Sequence, residues 1–164
     1  MKSKKTAVLG VCIALAMIFS YIELQIPSFI AIPGIKLGLP NIVIIIALYK
    51  FGWKEAVIIN ILRVLIVSVL FGTVLSLLYS VAGAVISLTI MIILKKLNIF
   101  STVLVSVFGA ISHNIGQIAV AIFVLATQEL LYYLPVLLIT GTISGILIGL
   151  IGANVVKKLE KVKL

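Results

Sequence analysis

The feature that most constrains this chain is its succession of apolar runs with cations gathered only at their ends. Ala7–Ile22, Pro40–Tyr49, Trp53–Phe71, Val74–Leu94, Thr102–Ala126 and Pro135–Val156 are apolar almost throughout, and lysines stand beside or between them. Crossing the hydrocarbon of a bilayer takes about 20 apolar residues in a helix. A chain of 164 residues built this way spends nearly all of its length inside a membrane. Composition agrees: 63% of residues are hydrophobic and 10% charged, with a mean hydropathy of +1.41. Soluble domains have about 45–50% apolar and about 25% charged residues.

The expected fold is therefore an all-α integral membrane protein, a bundle of six transmembrane helices forming one membrane domain over 1–164. The helices are placed at about 6–24, 39–50, 53–71, 74–94, 102–126 and 134–156, with a capping loop over 25–38. Met1–Lys5 followed by an apolar run resembles a signal peptide, but Ala14-Leu15-Ala16 falls inside that run, so it reads as an uncleaved first helix. The second run is short, about 15 Å as a helix against a core of about 30 Å.

Orientation follows from the lysines. With six crossings, Lys2, Lys4, Lys5, Lys50, Lys54, Lys95, Lys96, Lys157, Lys158, Lys161 and Lys163 share one side and Lys36 alone falls on the other. Both termini are then cytoplasmic, and the expected location is a bacterial cytoplasmic membrane with the lipid bilayer as first partner. The net charge of +9 is accounted for by orientation, because the lysines sit at helix ends rather than along one polar face. No nucleic-acid partner is expected.

The loop that holds Lys36 organises the outer side. Ile32–Asn41 carries Pro33, Gly34, Gly38 and Pro40, which rule out a continuous helix. Backbone of that kind at the membrane edge must be satisfied by protein, ligand or trapped water. The stretch reads as the cap over a binding site.

Polar groups inside the apolar runs are the candidates for that site. A charge at the depth of Arg63 costs about 2.5–3.5 kcal/mol, so it should face the interior and be paired. Asn60 lies one turn earlier on the same face. Arg63 reads either as a structural pair with Glu23 or backbone carbonyls, or as a ligand contact. His113, Asn114 and Gln117 form a stripe on the fifth helix, flanked by Gly109, Ser112 and Gly116. That stripe reads as a lining of the binding site. With Lys36 and Asn41, these residues are the candidate ligand-binding set: Lys36, Asn41, Arg63, His113, Asn114 and Gln117.

Small residues four apart mark close helix contacts. Gly141, Gly145 and Gly149 in the sixth helix read as internal packing, and Gly10 with Ala14 in the first as a surface for a partner subunit. One cysteine, Cys12, and one histidine fall short of a metal site, so neither a metal nor a cofactor is expected. The chain has no aspartate, and its only carboxylates are Glu23, Glu55, Glu129 and Glu160. Diphosphate chemistry through Mg²⁺ and ATP hydrolysis both need clustered acids or a phosphate loop that this chain lacks. No catalytic residue and no enzyme activity are expected.

Four motifs in order carry a resemblance: Pro33-Gly34-Ile35-Lys36-Leu37-Gly38-Leu39-Pro40-Asn41, then Leu62-Arg63-Val64 with Phe71-Gly72-Thr73, then His113-Asn114-Ile115-Gly116-Gln117, then Tyr133-Leu134-Pro135. On these the chain resembles the Gx transporter family, also labelled heptaprenyl diphosphate synthase component I. That family is similar to the substrate-binding S components of energy-coupling-factor transporters. The resemblance implies six helices, a capping loop after the first, and a small-residue stripe on the first helix that docks on a transmembrane coupling subunit served by separate ATPases. Gly10 stands at the first stripe position, where S components carry alanine. The implied function is capture of a small organic molecule under the 25–41 loop. The alternative is a non-catalytic membrane accessory in isoprenoid or quinone synthesis, which lateral openings and an apolar pocket would favour. A stand-alone channel ranks third, because no ring of charge or repeated filter is visible.

Overall fold

A computed structural model describes residues 2–26 and 38–161, with side chains from Lys4 onward. Lys36 and most of the expected cap lie outside the described residues. Six α-helices fill the described residues: α1 Lys2–Gln25, α2 Pro40–Lys50, α3 Trp53–Phe71, α4 Val74–Leu97, α5 Thr102–Leu125 and α6 Leu134–Glu160. No strand occurs among them. A single 3-10 segment, Gln128–Tyr133, leads into α6 where the sequence reads as an outer loop.

The helices end where local chemistry ends them. Thr73 caps α4, its hydroxyl accepting from Ser76 N while Ser76 Oγ accepts from Thr73 N, both at 3.2 Å. Ser101 caps α5 by accepting from Leu104 N. Gly52, at φ 113°, makes the turn between α2 and α3 in a conformation that favours glycine. α4 continues past the expected stop, through Lys95 and Lys96, to a left-handed Asn98. Cations in a last turn complement the negative end of the helix dipole, so the helix does not break on meeting them.

Four of these helical stretches, Lys4–Gln25, Val74–Leu97, Thr102–Leu125 and Gln128–Glu160, are long and apolar enough to cross a membrane. α3 is 19 residues long but carries Lys54, Glu55 and Arg63. α2 has 11 residues, about 16 Å of helix. Together they make an all-α membrane bundle, a multi-pass protein.

The shortest helix is the most central. Ile44, Ile45, Ala47 and Leu48 of α2 are buried against Ala16 of α1, Ala56 and Ile59 of α3, Leu88 and Met91 of α4 and Val105 of α5. α2 thus occupies only part of the thickness, and its first turn, at Pro40, opens inside the bundle.

Contacts among cations define one end of the molecule. Lys5 pairs with Glu55, Lys50 Nζ donates to Leu159 O, and Lys95 Nζ donates to Leu48 O. Lys54 and Lys96 stand over the Trp53 ring at 5.6 and 5.9 Å. These contacts bring the start of α1, the α2–α3 turn and the last turns of α4 and α6 together.

α4, α5 and α6 are joined through glycine. A Cβ on Gly145 would lie 2.7 Å from Val107 Cα, and one on Gly149 2.7 Å from Val103 Cα. A Cβ on Gly116 would lie 3.1 Å from Gly83 Cα. Backbones approach closely only where no side chain intervenes. Gly10, by contrast, has open space around it and is exposed, as is Ala14.

Candidate functional site

Away from the lysine end, a polar cavity of about 60 Å³ lies where α1, the start of α2, α3, α4, α5 and α6 converge. Asn41, Arg63, His113 and Asn114 line it, so four of the six residues singled out in the sequence border one space. Lys36 lies outside the described residues. Gln117 lines a different cavity.

Each side chain is held by a neighbouring element. Arg63 Nη2 donates to Asn60 Oδ1 at 2.7 Å, and Asn60 Nδ2 donates across to Ala84 O of α4 at 3.3 Å. One buried amide therefore sets the guanidinium and ties α3 to α4. Arg63 Nε is buried and has no acceptor among the described residues. The edge of the His113 ring rests on Gly83, where a Cβ would come within 3.0 Å of Cε1. Asn114 Nδ2 donates to Leu137 O at 2.7 Å, joining α5 to α6, and fits beside Gly141, whose Cβ would sit 2.7 Å from it. One N–H of Asn114 is thus committed to the fold.

Glu23 shares the polar cavity and accepts a hydrogen bond from Gly38 N, which links the end of α1 to the entry of α2. In the sequence it stands out only as a partner for Arg63; its place beside the α2 entry follows from the chain turning inward at Gly38 (φ 74°). Ser20, Ser80 and Ser144 complete the polar wall. Their signal in the sequence is faint, because serine in a membrane helix commonly bonds back to its own turn, as Ser20 Oγ does to Ala16 O at 2.8 Å and Ser144 Oγ to Gly141 O at 3.2 Å.

The second cavity, about 280 Å³, lies between α4, α5, the 3-10 segment and the start of α6. Gln117 is 6% exposed and its Oε1 has no donor among the described residues. Ser80 and Asn114 line both cavities and so form the partition between them. A third space of about 400 Å³, lined by Ile61, Leu65, Val81, Val85 and Ile92, lies between α3 and α4. Several of those side chains are exposed, which makes it a lateral groove. Among the described residues no group of three or more metal-ligating side chains occurs.

An apolar helical bundle enclosing a cavity with a guanidinium, a carboxylate, an imidazole and amides belongs to the multi-pass membrane proteins with an internal polar site. A family model described as heptaprenyl diphosphate synthase component I matches residues 12–155, and the chain belongs to that family. No curated protein and no solved structure matches it.

Proposed function

We propose that the chain is the solute-binding membrane subunit of an energy-coupling-factor-type uptake system, and not an enzyme. It captures a small organic molecule from the outer side, beneath the 25–41 stretch. The observation that carries this reading is Arg63 Nε, a buried donor lacking an acceptor among the described residues, in a polar cavity bordered by Asn41 and His113. A guanidinium with a free N–H matches a carboxylate, a phosphate or a carbonyl-rich group. The cavity has room for such an end of a molecule.

Six crossings with both termini inside a bacterial cytoplasmic membrane fit this role, and the clustering of Lys5, Lys50, Lys54, Lys95 and Lys96 at one end supports that orientation. With Cys12 replaced by serine, an impermeant thiol reagent applied outside should label Glu129→Cys but neither Lys54→Cys nor Lys161→Cys. External labelling at position 161 would overturn the orientation. The open face of Gly10 and Ala14 supports a docking surface for the coupling subunit, with ATPases as further partners.

The site is tested by mass spectrometry of small molecules that co-purify with the protein, followed by binding of the molecule found. Arg63→Ala should weaken binding at least tenfold, about 1.4 kcal/mol. Wild-type affinity in a folded Arg63→Ala variant would make the guanidinium structural.

A second reading is favoured by the lateral groove between α3 and α4. An apolar slot facing lipid suits an isoprenoid tail, in keeping with the family description, and would make the chain a non-catalytic accessory that presents a lipidic substrate. Recovery of a prenyl lipid as the co-purifying molecule would select this reading.

A further inference from the structure

Gln117 does not face the polar cavity; it faces a chamber of its own. We propose that this second chamber is a binding site for a compact, uncharged, mostly apolar molecule that presents one N–H or O–H donor to Gln117 Oε1. The proposal does not depend on the Arg63 cavity.

Size sets the first limit. The chamber holds about 280 Å³, whereas apolar cavities of about 150 Å³ already admit a benzene-sized guest. Charge sets the second. Among the described residues the lining contains no lysine, arginine, aspartate, glutamate or histidine, so a charged ligand would meet no counter-charge from them. Tyr79, Ile118, Ala121, Tyr133 and Leu137 supply the walls, and two tyrosine rings suit a flat guest.

Gln117 sets the third. Its Oε1 is buried with no donor among the described residues, and the side chain is 6% exposed. The amide is held in place, because its stem passes over Gly83 of α4, where a Cβ would sit 2.8 Å from Gln117 Cγ. Asn114, the nearest amide in the lining on the same helix, already donates to Leu137 O. Gln117 Oε1 has no donor among the described residues, and a guest in the chamber can supply one. Leu125 and Leu130 place its mouth at the end of the bundle opposite the lysine cluster, by the turn between α5 and the 3-10 segment.

Indole and 1-methylindole serve as probes, since they share shape and differ in the N–H. The full-length protein in lipid nanodiscs is titrated with each while the Ile118 methyl resonance is followed by NMR, a local signal that ignores probe dissolved in lipid. Indole should shift the resonance saturably at concentrations at least tenfold lower than 1-methylindole. Gln117→Met should erase that difference, and Ala121→Phe, which fills the chamber, should abolish the shift altogether. Arg63→Gln should leave it unchanged. Equal responses to the two probes in the wild type, or an indole shift that persists in Ala121→Phe, would overturn the proposal. A shift lost in folded Arg63→Gln would overturn its independence from the polar cavity.

Discussion

Between α4, α5 and α6 the backbones approach through Gly83, Gly116, Gly145 and Gly149, while around α1, α2 and α3 the contacts run through larger side chains such as Ile44, Ile45, Leu48 and Ile59. The first group places His113, Asn114 and Gln117 with little freedom. The second group contributes Glu23, Asn41 and Arg63, leaves a lateral groove against α4, and turns Gly10 and Ala14 outward. The polar cavity lies on the seam. A site built so has one wall set by close backbone packing and one set by side-chain packing together with a few polar ties.

The largest effect should come from loading the glycine seam. Gly145→Val or Gly149→Val drives a side chain into the α5 backbone and should cost about 3 kcal/mol in unfolding by denaturing detergent. A loss below about 1 kcal/mol would mean that the two helices separate easily, and the contrast between the halves would fail.

Next is the tie across the weaker interface. Asn60→Leu leaves Arg63 without its side-chain acceptor and cuts the bond to Ala84 O, so thermal unfolding should report a loss of about 2 kcal/mol. Unchanged stability would show that Arg63 finds another partner, and would move it from a positioned group to a mobile one.

Asn114→Leu should cost less, about 1 kcal/mol by the same measurement, because it removes one cross-helix bond to Leu137 O and strands no charged group. A loss as large as that at Gly145 would make the amide, and not glycine packing, the main link between α5 and α6.

Smallest in stability is Gly10→Leu, which meets open space and should stay within about 0.5 kcal/mol of the wild type. Its effect should fall on assembly, abolishing co-purification with a coupling subunit. An intact complex would remove the first helix from the docking surface.

Much of the candidate site is legible as a set of residue types. Arg63 inside an apolar run demands an interior position whatever the fold, and the polar groups of α5 stand out for the same reason. What is not legible is which neighbour each one meets. His113, Asn114 and Gln117 share one stripe by helical period, yet the first lines one cavity, the last another, and the middle one ties α5 to α6.

The sequence by itself determined the membrane setting, the helical class and the starts of α3, α4 and α5, because these depend on local hydropathy, on caps such as Thr73 and Ser101, and on glycine turns such as Gly52. Tertiary structure alone decided that the 11-residue α2 is the core, that Gln117 looks away from Arg63, and that Gly10 faces outward while Gly145 faces in. Helical period fixes the direction of a side chain about its own axis. Which helix covers that direction is set by packing between segments far apart in the chain, and no local pattern encodes it.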